Sequence, residues 1–185
     1  MSFTETEKKI IAELITTLDS ISNEEVEQLI KEIEQAEQVF FVGVGRVLLS
    51  LEAIAKRLAH LGLATFVVGQ ITEPAITEKD LLIVGSGSGE SAFPLAIAQK
   101  AKQFGARVAH IGANPNSSMN AFTDCFIRIP VQTKLNLAGE VPSIQPMTSL
   151  FEQSLLLLGD TVALMLVEAR GIDLPSLWQY HANLE

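Results

Sequence analysis

Short runs of consecutive apolar residues recur along this chain with helical segments between them, and no other feature limits its fold as strongly. The runs are VFFVGVG (39–45), TFVVG (65–69), LLIVGSG (81–87), RVAHIG (107–112) and CFIRIP (125–130). A strand with one face in water alternates apolar and polar residues, whereas a strand that is apolar at every position is buried on both faces. Helical patterns fill the gaps, from about Leu48 to Leu63, from the 85–91 turn to Phe104, and from about Met147 to Arg170. The alternation predicts an α/β fold with a parallel sheet covered by helices on both sides.

Two further helices precede the first strand. Ile10, Ile11, Leu14, Ile15 and Leu18 form an apolar stripe over Thr4–Leu18, at helical spacing. Ser22 with Glu25 three residues later is a capping-box signature, and Val26, Leu29, Ile30 and Ile33 continue the stripe to Ala36. The 185 residues suit one domain, with amino-terminal helices at 4–36, an α/β core at 37–170 and a tail at 171–185. The segment 131–145 is longer than most connections, which marks it as functional or mobile. The apolar stretch Leu155–Val167, interrupted by Gly159 and Asp160, reads as a buried helix too short to span a bilayer.

Composition narrows the function. A formal charge of −9 disfavours nucleic-acid partners, which are bound through clustered Lys and Arg. An anionic ligand must then be held locally, by backbone N–H groups, hydroxyls or a single Arg. The acidic, polar start MSFTETEKK lacks the pattern of a secretory signal, so a cytoplasmic location and no membrane partner are expected. The one cysteine, Cys125 within FTDCFIRI, reads as a packed core thiol.

The strongest local signal is GSGSGES, Gly85–Ser91, where LLIV leaves the sheet ahead of a helix. In open parallel sheets ligands collect at the carboxyl ends of strands, and small residues let amides approach an anion at the next helix's positive end. Ser86, Gly87, Ser88 and Ser91 are therefore candidate phosphate-binding residues; the alternative is a flexible serine-containing turn. The motif lacks the P-loop lysine and the dinucleotide fingerprint. A second turn, GVGR, follows the first strand and offers Gly45 and Arg46; Arg46 either orients an anionic ligand or is simply solvated. Asn114, Ser117 and Ser118 follow another strand and fit a turn capping a short helix better than ligand contacts.

The succession GVGR, AKRLAHLG, strand-then-GSGSGES, QPMTSLFEQSLLL and terminal HANLE resembles the 6-phospho-3-hexuloisomerases, members of the sugar isomerase (SIS) domain family, over essentially the whole chain. The resemblance implies a three-layer SIS-type fold with a five-stranded parallel sheet flanked by helices. It also implies a homotetramer built as a dimer of dimers, no metal and no cofactor. The implied substrate is a sugar phosphate, with D-arabino-3-hexulose 6-phosphate and fructose 6-phosphate interconverted. Members of that family usually read GAGRSG at the first turn, whereas Val47, Leu48 and Leu49 follow Arg46 here. Val47 removes a hydroxyl that related domains turn toward the phosphate.

Such an isomerisation needs a carboxylate to move a proton between neighbouring carbons. Glu152, near the start of a Leu-rich helix, is the candidate base; the alternative is a first-turn Glu that complements the helix dipole. His60, at the end of a helix, and His181, in the tail, are candidates to shuttle a proton between ligand oxygens, with either subunit of an assembly as the source. His110, inside an apolar strand, reads as structural. Two other functions fit the same turn: a non-catalytic sugar-phosphate sensor, and an isomerase of another phosphorylated sugar such as a pentose 5-phosphate.

Overall fold

A computed structural model describes residues 2–184. Two helices, α1 (Phe3–Leu18) and α2 (Asn23–Gln35), lead into β1 (Val39–Val42), α3 (Gly45–Ala59), β2 (Thr65–Val67) and β3 (Leu81–Gly85). There follow α4 (Ala92–Gln103), β4 (Arg107–Gly112), a 3-10 turn (Ser118–Phe122), β5 (Cys125–Arg128), α5 (Ser149–Arg170) and a second 3-10 segment (Leu174–Tyr180). The strands form one sheet in the order β2-β1-β3-β4-β5, and every pairing is parallel.

Two apolar layers explain why the strands read as unbroken hydrophobic runs. Val39, Phe41, Leu81, Ile83, Ala109, Ile111 and Ile127 point to one face, where α2, α3 and α5 supply Leu29, Ile33, Leu51, Leu58, Leu155 and Leu166. Phe40, Val42, Leu82, Val84 and Val108 point to the other, against Ala98 and Ala101 of α4 and Met119 of the first 3-10 turn. Each large side chain so removed from water contributes on the order of 1.5–3 kcal/mol. Cys125 lies in the first layer, and burial pushes its thiol pKa up to about 11, which suits a packed, unreactive sulfur.

Helices α3 and α5 run side by side in the same direction, in contact from Arg46 and Glu152 to Arg57 and Asp160. Gly159 lets them meet closely, since a Cβ there would stand 2.2 Å from Ile54 Cγ1. At 22 residues α5 is longer than its apolar stretch alone suggested, and it is long and apolar enough to meet the length and composition of a membrane-spanning helix. Most of that apolar window is buried inside the fold, as in the core helix of an α/β layer. The long connection 131–145 is held in place: Glu13 of α1 accepts from Ser143 Oγ (2.7 Å), Ile144 N (2.7 Å) and Gln145 Nε2 (3.0 Å).

Candidate active site

The strand order reverses direction at β1, so β1 and β3 send their following helices to opposite faces and leave a crevice at their carboxyl ends. Both glycine-containing turns lie there. The turn after β1 bends at Gly45, whose φ of 59° suits a residue without Cβ, and α3 starts at Gly45 rather than near Leu48, so Arg46 stands in its first turn. The turn after β3 lies directly against that helix: a Cβ on Gly85 would come within 2.8 Å of Val47 Cγ1. The methyl groups of Val47 thus pack beneath the turn.

Within the second turn the backbone carbonyls are engaged on the β4 side. Ser86 O accepts from His110 Nε2 (2.9 Å) and Gly89 N (3.2 Å), while Gly87 O accepts from Ala113 N (2.9 Å) and Asn114 N (3.1 Å). In a trans peptide the N–H points opposite to the preceding C=O. The amides of Gly87 and Ser88 therefore face away from β4, and neither donates to another described residue. Together with the amino end of α4 they form a concentration of outward N–H groups suited to an anion. Ser91 is the N-cap residue of that helix, and its side chain makes no capping bond.

The serines divide by role. Ser86 is buried; its oxygen accepts from Gly89 N (3.1 Å), and its hydroxyl meets Ser91 Oγ at 3.3 Å. Its hydroxyl is committed to shaping the turn, unlike the outward donor expected from the sequence. Ser88 and Ser91 are partly exposed. Glu90 turns aside, its carboxylate accepting from Ser118 N (2.7 Å), a bond that lowers its pKa. Asn114 and Ser117 are buried, and Asn114 Nδ2 donates to Ser88 O (3.2 Å), bracing the turn from beneath.

Glu152 stands in the first turn of α5. Its Oε2 accepts from Arg46 Nε and its Oε1 from Thr148 Oγ1 (3.1 Å), while Ser50 Oγ donates to its backbone carbonyl (2.9 Å). The Glu152 side chain is 9% exposed and that of Arg46 65%, so the pair presents its guanidinium to solvent and its carboxylate inward. The preceding residue, Phe151, packs its ring against Gly87, 3.7 Å from where a Cβ would be. Phe151 and Val47 thus seat the first turns of α5 and α3 against the amide turn, and the neighbouring residues Glu152 and Arg46 pair with each other. Arg46, Leu49, Ser50, Glu152, Gln153 and Leu156 line a cleft of about 230 Å³ on the outer side of α3 and α5. The sequence reading missed Thr148 and Ser50, although Thr148 stands one helical turn before Glu152, a spacing that brings side chains together.

The histidines lie elsewhere in the chain. His60 is the C-cap of α3, roughly 20 Å along the axis from Arg46 at 1.5 Å per residue. His181 stacks on it with ring centroids 5.5 Å apart, and Trp178 packs on His181 at 5.1 Å. With Arg57, Leu174 and Leu177 they line a cavity of about 360 Å³. Within one chain, neither histidine joins Glu152. Asn183 of the tail is exposed, and Glu185 lies outside the described residues. Among the described residues no group of three His, Cys, Asp or Glu side chains is arranged to hold a metal ion.

A five-stranded parallel sheet with a ligand-competent turn at its switch point defines a class, and the chain belongs to the SIS domain family, whose model matches residues 32–157. Over 185 residues it is 43% identical to a Bacillus subtilis (strain 168) protein named 3-hexulose-6-phosphate isomerase, covering 100% of both chains. A Mycobacterium gastri protein of the same name is 38% identical over 173 residues, covering 94% of this chain and 86% of the other. Among solved structures, a Methanococcus jannaschii protein superimposes with a TM-score of 0.85 at 27% identity, over 98% of this chain and 99% of that one. A molecular function of 3-hexulose-6-phosphate isomerase has been inferred for it.

Proposed function

We propose that this chain is a 3-hexulose-6-phosphate isomerase, interconverting D-arabino-3-hexulose 6-phosphate and fructose 6-phosphate as one SIS unit. It is supported by the pairing of Arg46 with Glu152 at the starts of the two helices that Val47 and Phe151 seat against the turn bearing the outward amides of Gly87 and Ser88. The amides, the amino end of α4 and the hydroxyls of Ser88 and Ser91 hold the phosphate, Ser86 and Gly45 shape the two turns, and Arg46 orients the sugar. Arg46 leaves Glu152 for the ligand, and the freed carboxylate takes the proton from C2 beside the C3 carbonyl. The enediolate is reprotonated at C3, while the hydroxyl proton passes from O2 to O3. Electrons stay within the substrate, so no redox partner enters.

Assembly is part of this reading. Leu49, Leu157, Leu164 and Met165 on the outer faces of α3 and α5 are exposed, and cover by a second copy would remove that apolar surface from water. A homotetramer in the cytoplasm, with His60 or His181 contributed across a subunit boundary, is consistent with the distance between the histidines and Glu152. One observation favours the sensor reading: both carboxylate oxygens of Glu152 are already engaged.

A coupled assay for fructose 6-phosphate separates the two. Glu152→Gln should lower kcat between about a hundred- and ten-thousand-fold, the usual contribution of a general base, with sugar-phosphate binding retained. Tight binding without turnover of any hexulose or pentulose phosphate by the unaltered protein would establish the sensor instead.

A further inference from the structure

His110 sits in the middle of β4 as a fully buried polar side chain, while the other buried residues of that strand are apolar. A buried imidazole is costly unless its nitrogens are used. The register of the sheet pairs Val84 with His110 and Gly85 with Ile111, which carries the ring directly beneath the residue after β3. There Nε2 lies 2.9 Å from Ser86 O. A carbonyl oxygen only accepts, so Nε2 bears the proton and the neutral ring leaves Nδ1 unprotonated; Nδ1 is buried and has no partner among the described residues. Burial lowers the pKa of His110, in keeping with that neutral form.

The surroundings are shaped around the ring. Phe126 of β5 packs on it with centroids 5.1 Å apart. A Cβ on Gly112 would stand 2.5 Å from Nε2 and 2.7 Å from Ser86 O, and one on Gly89 would stand 3.2 Å from Cε1. Two glycines thus allow the backbone to close over the imidazole and its acceptor.

We infer that His110 is a positioning residue for the phosphate: by donating to the carbonyl of Ser86 it fixes the Ser86–Gly87 peptide so that the Gly87 N–H points at the ligand. The inference rests on the isomerase reading only for the identity of that ligand. Glycine on one side of a peptide leaves it free to rotate, and reversal of this plane would present a carbonyl oxygen to the anion in place of the amide. The ring itself, shut beneath the turn, does not touch the substrate.

The test compares the unaltered protein with His110→Gln, whose amide nitrogen can reach the same acceptor, and His110→Leu, which has no donor. KM and kcat are measured with D-arabino-3-hexulose 6-phosphate, and binding of inorganic phosphate is measured by calorimetry. His110→Leu should raise KM and weaken phosphate binding by about tenfold each, the size of one lost hydrogen bond to a charged group. Its kcat should stay within about threefold, and His110→Gln should recover most of the affinity. Equal affinities in all three proteins, or a glutamine variant as weak as the leucine one, would overturn the inference. If His110→Leu does not fold, nitrogen-15 spectra of the unaltered protein decide: the Nε2–H tautomer, with a Gly87 amide proton that moves downfield on adding phosphate, supports the role, and the Nδ1–H tautomer or an unmoved amide refutes it. Phosphate binding needs no turnover, so failure of the isomerase reading would show separately, as absent activity with the phosphate response intact.

Discussion

The two ends of α3 use their side chains in opposite ways. At the amino end Arg46 is paired with a buried carboxylate beside a turn of outward amides, so charge is met by charge and by oriented dipoles. At the carboxyl end His60 and His181 stack, Trp178 packs on His181 at a tilt, and all three line a cavity for which the tail after α5 supplies two of the three rings. A rigid helix holds the two groups about 20 Å apart. The residues expected from the sequence to act as one set thus lie in two separate groups within each chain, and a second copy must bring them together if both serve one reaction.

Mixing experiments offer the most severe test of that division. His60→Ala should cost about a hundredfold in kcat if the ring moves a proton in the reaction. An equal mixture of His60→Ala and Glu152→Gln, dissociated and reassembled, should then recover about a quarter of full activity, since half of randomly paired dimers are mixed and each mixed dimer holds one intact shared site. No recovery would assign the carboxyl end of α3 a purely structural role. Changes at the amino end come next in size: Arg46→Ala should lower kcat/KM by about ten- to a hundredfold, as for loss of a charged hydrogen-bonding partner, without altering the docked tail. Gly62→Ala should have the smallest effect. Gly62 has a φ of 82°, and a Cβ there would stand 3.1 Å from the Tyr180 ring, so the variant should lose about 1–3 kcal/mol of stability while phosphate binding is unchanged.

The layers were legible because their cause is local. Phe40 and Phe41 face opposite sides of the sheet and are both buried, so an apolar run was enough to place β1. Boundaries were less so: β2 is only Thr65–Val67, because Val68 and Gly69 turn into the loop. Of the candidate site, the turn at 85–91 could be picked out from residue type and position, whereas Glu152 was distinguished from an ordinary first-turn Glu only by the family resemblance. That Arg46 stands across from Glu152 depends on the parallel packing of α3 and α5, which no local pattern encodes. The placement of His110 likewise required the register of β3 against β4. The separation of His60 from Arg46 was within reach, since the expected helix over about 48–63 contains His60 and begins two residues after Arg46, and fourteen steps fix their distance. Segment 131–145 was ambiguous because its anchor, Glu13, lies in a helix more than a hundred residues earlier.

The notch at Gly159 has a further bearing on the chemistry. Because main chain and not side-chain bulk sets how closely α5 approaches Ile54, the gauge between the helices that carry Arg46 and Glu152 is insulated from changes on their outer surfaces. The chain is thereby free to vary the residues with which it meets other molecules while the spacing of its acid and its cation stays the same.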